Sequence, residues 1–177
     1  QDTGIWGSDF DEPRILASLL RQVAEVVRPY GGWVRVLYLQ PEGMTEELVS
    51  TIRDVPEVLP YIDIPIQHCS STVLERMGRK GSAEEFSSLF AHLRKEIPGM
   101  VLRTTAMAGF PGETDEEFER SLSFCREMGF SRMHVFRYSR RRGTPAATAP
   151  GQVDPHVMAA RSARVRQLAR EMREREA

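Results

Sequence analysis

Apolar and polar positions follow two rhythms along this chain, and the rhythms take turns. From 16 to 27 the apolar residues Leu16, Leu19, Leu20, Val23 and Val27 recur every three or four positions, which predicts an amphipathic helix opened by Asp11 and Pro13 and closed before Pro29. The run WVRVLYL (33–39) then reads as a strand, ended by Pro41 and Gly43. Thr45 caps a short helix that turns Leu48 and Ile52 inward. YIDIPIQ (61–67) is the next strand, although Pro65 removes one ladder donor and suggests an edge or an irregular end. Ser70 or Ser71 opens a helical turn through Val73, Leu74 and Met77, stopped by Gly78. Ser82 and Glu85 form a capping box for a helix that buries Phe86, Leu89, Phe90 and Leu93.

The stretch LRTTAMAGFPGETDEEF is the sharpest corner of the pattern. Val101, Leu102, Thr104 and Thr105 make a β-rich run ending at Gly109, and Thr114 with Glu117 is a second capping box. Phe118, Leu122 and Cys125 then share one helical stripe. RMHVFRYS (132–139) is a further strand, and a last helix starts at Asp154 and Pro155. Strand starts near 33, 61, 100 and 131 keep the roughly thirty-residue spacing of βα units. The predicted class is therefore α/β, a partial (β/α) barrel of parallel strands with fewer units than a closed eight-stranded barrel. TPAATAPGQVDP (144–155) reads as a surface linker. The final helix, with Val157, Ala160, Ala163, Val165 and Leu168 among many arginines, either docks on the body or points to a missing module.

Ligands of parallel βα folds sit at the carboxyl ends of the strands. That rule selects Tyr38, Gln40 and Pro41; Gln67, His68 and Ser70; Gly109 to Glu113; and Arg137, Tyr138 and Ser139. Gly109 and Gly112 lack Cβ atoms where backbone would have to approach something closely; a tight βα loop without a ligand explains them equally well. His68 and Cys69 resemble a base beside a nucleophile, but neighbouring strand residues face opposite ways, so a cysteine nucleophile is disfavoured. Recognition by Gln67 and Ser70 is the stronger reading, and His68 pinning a loop is the alternative. Arg103 either aims its guanidinium at a ligand carboxylate or pairs with a helix acid.

Bulk properties narrow the classes only a little. The chain has 177 residues, enough for one core, with 41% hydrophobic content and a formal net charge of -1, so its totals call for neither nucleic acid nor membrane. RYSRRRG (137–143) gathers four arginines, for which a surface charge and an RNA contact are both open. The 2 cysteines, Cys69 and Cys125, match no zinc or disulfide spacing and suit a reducing, cytoplasmic setting. QDTGIWGSDF lacks an initiator methionine and reads as the far end of something, so the chain is expected to be an excised piece.

Taken in order, LYLQPEGMTEELV, YIDIPIQHCSSTVLERMGRKGS, LRTTAMAGFPGETDEEFE and VFRYSRRRGTPA resemble the radical SAM methylthiotransferases over roughly residues 1–148. GFPGET at a strand end is characteristic of that family. IDIPIQH, with His68, is similar to the RimO-like branch, which modifies an aspartate of a small-subunit ribosomal protein. The resemblance implies an incomplete radical SAM core over 1–148, then a linker and helix at 149–177 leading toward a missing TRAM domain. It implies S-adenosylmethionine and [4Fe-4S] clusters in the parent protein. There the nucleotide is cleaved to a radical that takes hydrogen from an unactivated carbon before sulfur and a methyl group are added. Gln67, Ser70, Arg103, Gly109, Phe110, Pro111, Gly112 and Tyr138 are the expected cofactor contacts, and no residue is expected to bind metal.

The departures are specific. The CxxxCxxC motif that holds the family's cluster is absent, Thr105 and Ala106 replace bulkier or acidic residues, and RRRG stands where REEG is commoner. This piece alone is therefore expected to be inactive. A tRNA-modifying relative of the same family and a cluster-less binding scaffold are the alternatives.

Overall fold

The computed structural model describes residues 2–9 and 16–175. In chain order it holds α1 (Leu16–Val27), α2 (Glu46–Asp54), β1 (Tyr61–Asp63), α3 (Ser71–Arg76), α4 (Ala83–Glu96), β2 (Val101–Ala108), α5 (Asp115–Met128), β3 (Arg132–Arg137), α6 (Pro145–Thr148) and α7 (Pro155–Arg175). The expected start of the first helix at Asp11 and Pro13 lies outside the described residues. The strands form one sheet in the order β1-β2-β3. β1 runs parallel to β2, with Tyr61, Ile62 and Asp63 opposite Val101, Leu102 and Arg103. Parallel neighbours joined through helices are what the alternating rhythm predicts.

The chain divides into two compact units, Gln1–Pro65 with Ser88–Arg103, and Ile66–Ser87 with Thr104–Ala177. In the first unit α1 buries Leu16, Ala17, Leu20 and Ala24, and α2 buries Leu48, Val49 and Ile52, beside Ile62, Leu93 and Leu102. Thr45 caps α2 as expected, its hydroxyl accepting the Leu48 N–H at 3.2 Å. The predicted strand at 33–39 does not form. Val34 makes an isolated parallel bridge to Val58, and the Leu39 N–H reaches the Asp63 carbonyl at 3.0 Å. Between them Tyr38 sits at φ 57°, and a left-handed residue turns the backbone donors and acceptors out of any ladder. Pro65 acts as expected: β1 stops at Asp63, and pairing resumes only as a single parallel bridge from Gln67 to Ala106.

In the second unit Phe118, Leu122, Phe124 and Cys125 of α5 are buried with Val73, Leu74, Phe86, Ala106 and Phe130. Each fully buried leucine or phenylalanine contributes about 1.5–3 kcal/mol. The described residues 149–175 lie in this unit. They contribute α7, which lies on β3 and α5 and buries Val165, Leu168 and Met172, whereas Val157 stays exposed. Of the expected stripe, Val165 and Leu168 are buried in this unit, while Ala160 and Ala163 are exposed.

Candidate functional site

The strand-to-helix corner is held by its own side chains. Both halves of the Thr114 and Glu117 capping box are present, and α5 ends at Gly129 in the left-handed conformation. Glu113, fully buried at its side chain, curls back over the corner, and one of its oxygens accepts the N–H groups of Gly109 and Phe110. The other oxygen meets Arg161 Nη1 of α7 at 3.1 Å. Burial pushes the Glu113 carboxyl above its ordinary range, opposed by the two amides and by Arg161. Arg161 also reaches Asp115 at 2.6 Å and lies over the Phe118 ring.

The two glycines of the corner are needed at once for backbone and for space. Gly109 has φ 81°, and a Cβ there would stand 2.1 Å from Met158 Cγ. Gly112 has φ 79°; a Cβ would meet Arg76 Nη1 at 3.0 Å, and its N–H donates to the Gly151 carbonyl at 2.7 Å. What approaches these glycines is thus the chain itself: α7, α3 and the loop before α7.

The other expected contacts separate into two groups. Ser70 precedes α3 but does not cap it with its side chain; its hydroxyl donates to Glu117 at 3.0 Å beside Thr72, whose hydroxyl does so at 2.7 Å. Burial works against the Glu117 charge, yet the Thr114 amide, the Thr72 and Ser70 hydroxyls and Arg76 together hold its carboxyl below the ordinary range. Arg103 lies in the first unit, and its Nη1 is 3.2 Å from Asp63, its register partner on β1. Arg103 is thus paired with an acid of the protein, but a strand acid and not the expected helix acid. In the arginine cluster at 137–143, Arg140 Nε donates to Gln152 at 2.8 Å.

Gln67 and Tyr138 are different. Gln67 holds φ 67°, a conformation a glutamine adopts only when its surroundings impose it, and its side-chain oxygen is buried without a hydrogen-bond partner. Tyr138 continues from β3, its N–H donating to the Ala108 carbonyl at 2.9 Å and its ring edge-on to Phe110 at 5.3 Å. Its hydroxyl is likewise buried and unpartnered. Each orphaned group costs about 1–3 kcal/mol, a cost removed when something supplies the missing partner. Gln67 sits opposite Ala106 and Tyr138 beside Ala108, so the register sets both at the carboxyl end of β2, with buried Phe110 and Pro111 next to them.

His68 pins its loop. Its Nδ1 accepts the Ser70 N–H at 3.0 Å, which leaves the proton on Nε2, buried and unpartnered. The neighbouring cavity, bounded by Ala106, Phe118, Ser121 and Val165, measures about 10 Å³. Burial lowers the His68 pKa from 6.5 to about 4, against the charge of Glu117 and with help from Arg120, Arg161 and Arg76. The folded protein thus keeps His68 neutral where the unfolded chain protonates it, and unfolding takes up a proton between those two values. His68 contributes stability that is full above pH 6.5 and lost as pH falls toward 4, at about 1.4 kcal/mol per pH unit. Glu113, shifted upward, works in the opposite sense. His68→Asn keeps an acceptor for Ser70 and removes the titration, so its urea midpoint should fall less between pH 7 and pH 4.5 than that of the native chain. Equal falls would contradict this assignment.

Arg161 is the residue that sequence reading missed. It interrupts the apolar stripe of α7 four positions before Val165, and a charge on a buried stripe signals a partner waiting beneath it.

Comparison with known proteins bears on this corner directly, since the model of the Radical SAM superfamily matches residues 7–125. The chain belongs to that superfamily. Among curated proteins it is 44% identical to "Ribosomal protein uS12 methylthiotransferase RimO" of Carboxydothermus hydrogenoformans, over 86% of this chain and 34% of that protein. It is 45% identical to the protein of the same name from Trichlorobacter lovleyi, over 89% of this chain and 34% of the relative. The chain thus spans about a third of the length of these relatives. Among solved structures, coproporphyrinogen III oxidase (HemN) of Escherichia coli, a radical SAM enzyme, aligns with a TM-score of 0.70 over 88% of this chain and 37% of its own, at 14% identity. TsrM of Kitasatospora setae aligns at 0.62 over 83% of this chain and 26% of its own, at 17% identity. At those identities the likeness is one of fold, and it is the fold of radical SAM enzymes.

Among the described residues an iron–sulfur cluster finds no fitting set of ligands. Cluster ligands are thiolates, whereas burial raises both thiols here, Cys125 to about 12. Among the described residues no group of three or more histidine, cysteine, aspartate or glutamate side chains gathers to hold a metal. No helix among them is long and apolar enough to cross a membrane.

Proposed function

We propose that this chain is the later part of a radical SAM methylthiotransferase core whose parent protein acts on ribosomal protein uS12, at an aspartate. The observation that carries the reading is the identity of 44% and 45% to proteins of that name across nearly the whole chain, corner and strand ends included. S-adenosylmethionine is the ligand that the rim at Gln67, Phe110 and Tyr138 is read as holding. When bound beside a cluster carried elsewhere in the parent, it would supply the hydrogen-abstracting radical.

The chain's own residues bind and exclude. Gln67 offers an acceptor and Tyr138 a donor to polar edges of the nucleotide, while Phe110 and Pro111 give an apolar wall that keeps water from the reacting carbon. Gly109, Gly112 and Ser70 act behind this wall: the glycines let α7, α3 and the loop before α7 close on the corner, and Ser70 steadies Glu117. A substrate-presenting TRAM domain following α7 belongs to the same reading.

Mass spectrometry of uS12 and of tRNA from a strain lacking the parent gene tests it. The expected result is uS12 without its methylthio group and tRNA unchanged. Intact uS12 with tRNA that has lost a methylthio group would contradict the proposal and favour the tRNA-modifying relatives.

A further inference from the structure

β3 closes one side of the sheet, and α7 packs along it. Between them runs a groove of about 350 Å³ with Arg132 and His134 on the strand and Arg166, Arg170 and Arg173 on the helix. No carboxylate lines it among the described residues. The three helix arginines are spaced four and three apart, which brings like charges onto one face, where they repel one another. Arg161 and Arg164, on another side of α7, are paired with Glu113, Asp115 and Glu119. Arg166, Arg170 and Arg173 make no ion pair among the described residues, and all three are exposed. An unpaired row of guanidiniums in a groove fits a row of anions.

The strand supplies a second kind of contact. His134 and Phe136 project to the same side, their ring planes 9° apart and centroids 5.8 Å apart, and Phe136 is 52% exposed. An exposed Phe136 ring, stacked on the His134 that lines the groove with the three unpaired helix arginines, matches single-stranded nucleic acid: phosphates for the guanidiniums and an unstacked base for the ring. An acidic peptide would use the arginines and leave the ring without a function.

We propose that the groove between β3 and α7 binds single-stranded RNA, its phosphates on Arg166, Arg170 and Arg173 and a base against the exposed ring of Phe136, which stacks on the groove-lining His134. The choice of RNA over DNA rests on the ribosomal-protein reading above. Binding is scored without turnover, so its failure leaves that reading standing, and tRNA as the modified product would leave the groove's binding intact.

The test titrates the full chain against a fluorescein-labelled single-stranded RNA of about twelve nucleotides, followed by anisotropy from about 50 to about 200 mM salt. The triple variant Arg166→Gln, Arg170→Gln, Arg173→Gln should lose about tenfold or more in affinity and flatten the slope of log K against log salt by about 2. Phe136→Ala should lose about fivefold or more and leave that slope unchanged. The substituted side chains are exposed, so circular dichroism of both variants should match the native chain. Native affinity and slope in the triple variant would overturn the proposal. Equal binding of DNA of the same sequence would overturn the assignment to RNA, and displacement by polyglutamate at equal charge would assign the groove to an acidic protein instead.

Discussion

Arg161→Met should destabilise the protein by about 3–5 kcal/mol, the cost of leaving a buried carboxylate without its cation. Methionine keeps most of the volume over Phe118, so the loss reports charge rather than a cavity. Glu113 would retain the Gly109 and Phe110 amides and nothing positive. Its carboxyl, already raised by burial, would rise further. A group whose folded pKa lies above its unfolded value lowers stability as pH climbs through the folded value. The deficit of Arg161→Met in urea unfolding should therefore be larger at pH 8 than at pH 5. Adding Glu113→Gln removes the stranded charge while its amide oxygen still accepts the two N–H groups, so the double variant should recover much of the loss. A double variant as unstable as the single one would mean that Arg161 acts through packing alone.

Gly109→Ala should cost about 2–5 kcal/mol, from overpacking of about 1–3 and left-handed strain of about 1–2. The two parts can be separated. A new Cβ would lie 2.1 Å from Met158 Cγ and 2.7 Å from its Sδ, so shortening Met158 to alanine in the same background removes the clash and leaves the strain. Gly129 supplies the control: it has φ 57° and nothing within 4 Å of its virtual Cβ, so Gly129→Ala should show the backbone cost alone. Equal losses at the two glycines in urea titrations would show that Met158 gives way freely and that Gly109 is required for conformation only.

Met158 is 49 residues from Gly109 in the chain, and that distance explains what the sequence could and could not reveal. The strand 101–108 was legible because Val101, Thr104 and Thr105 favour extended backbone and a glycine ends it. The caps at Thr45 and Thr114 were legible because capping is local. The segment 33–39 has the composition of a strand, but Tyr38 is left-handed and its carbonyl accepts the N–H of Thr3, far away in sequence. Ser70 has the position of a cap, yet its hydroxyl goes to Glu117, whose place is set by another helix. At the candidate site the motif announced a corner with glycines. What the glycines accommodate, and that Arg103 belongs to Asp63, depends on chain crossings that leave no local mark.

Gln67 and Tyr138 carry the central claim, because at the carboxyl rim of β2 they present polar atoms with nothing to bind. The direct measurement is S-adenosylmethionine affinity, by calorimetry, of the full-length parent carrying its cluster, for the native protein, Gln67→Ala and Tyr138→Phe. A lost hydrogen bond of about 1 kcal/mol predicts about fivefold weaker binding for each. Tyr138→Phe should meanwhile leave ligand-free stability unchanged or slightly higher, since it deletes an unpaired hydroxyl. Native affinity in both variants would contradict the account and remove the nucleotide from this rim.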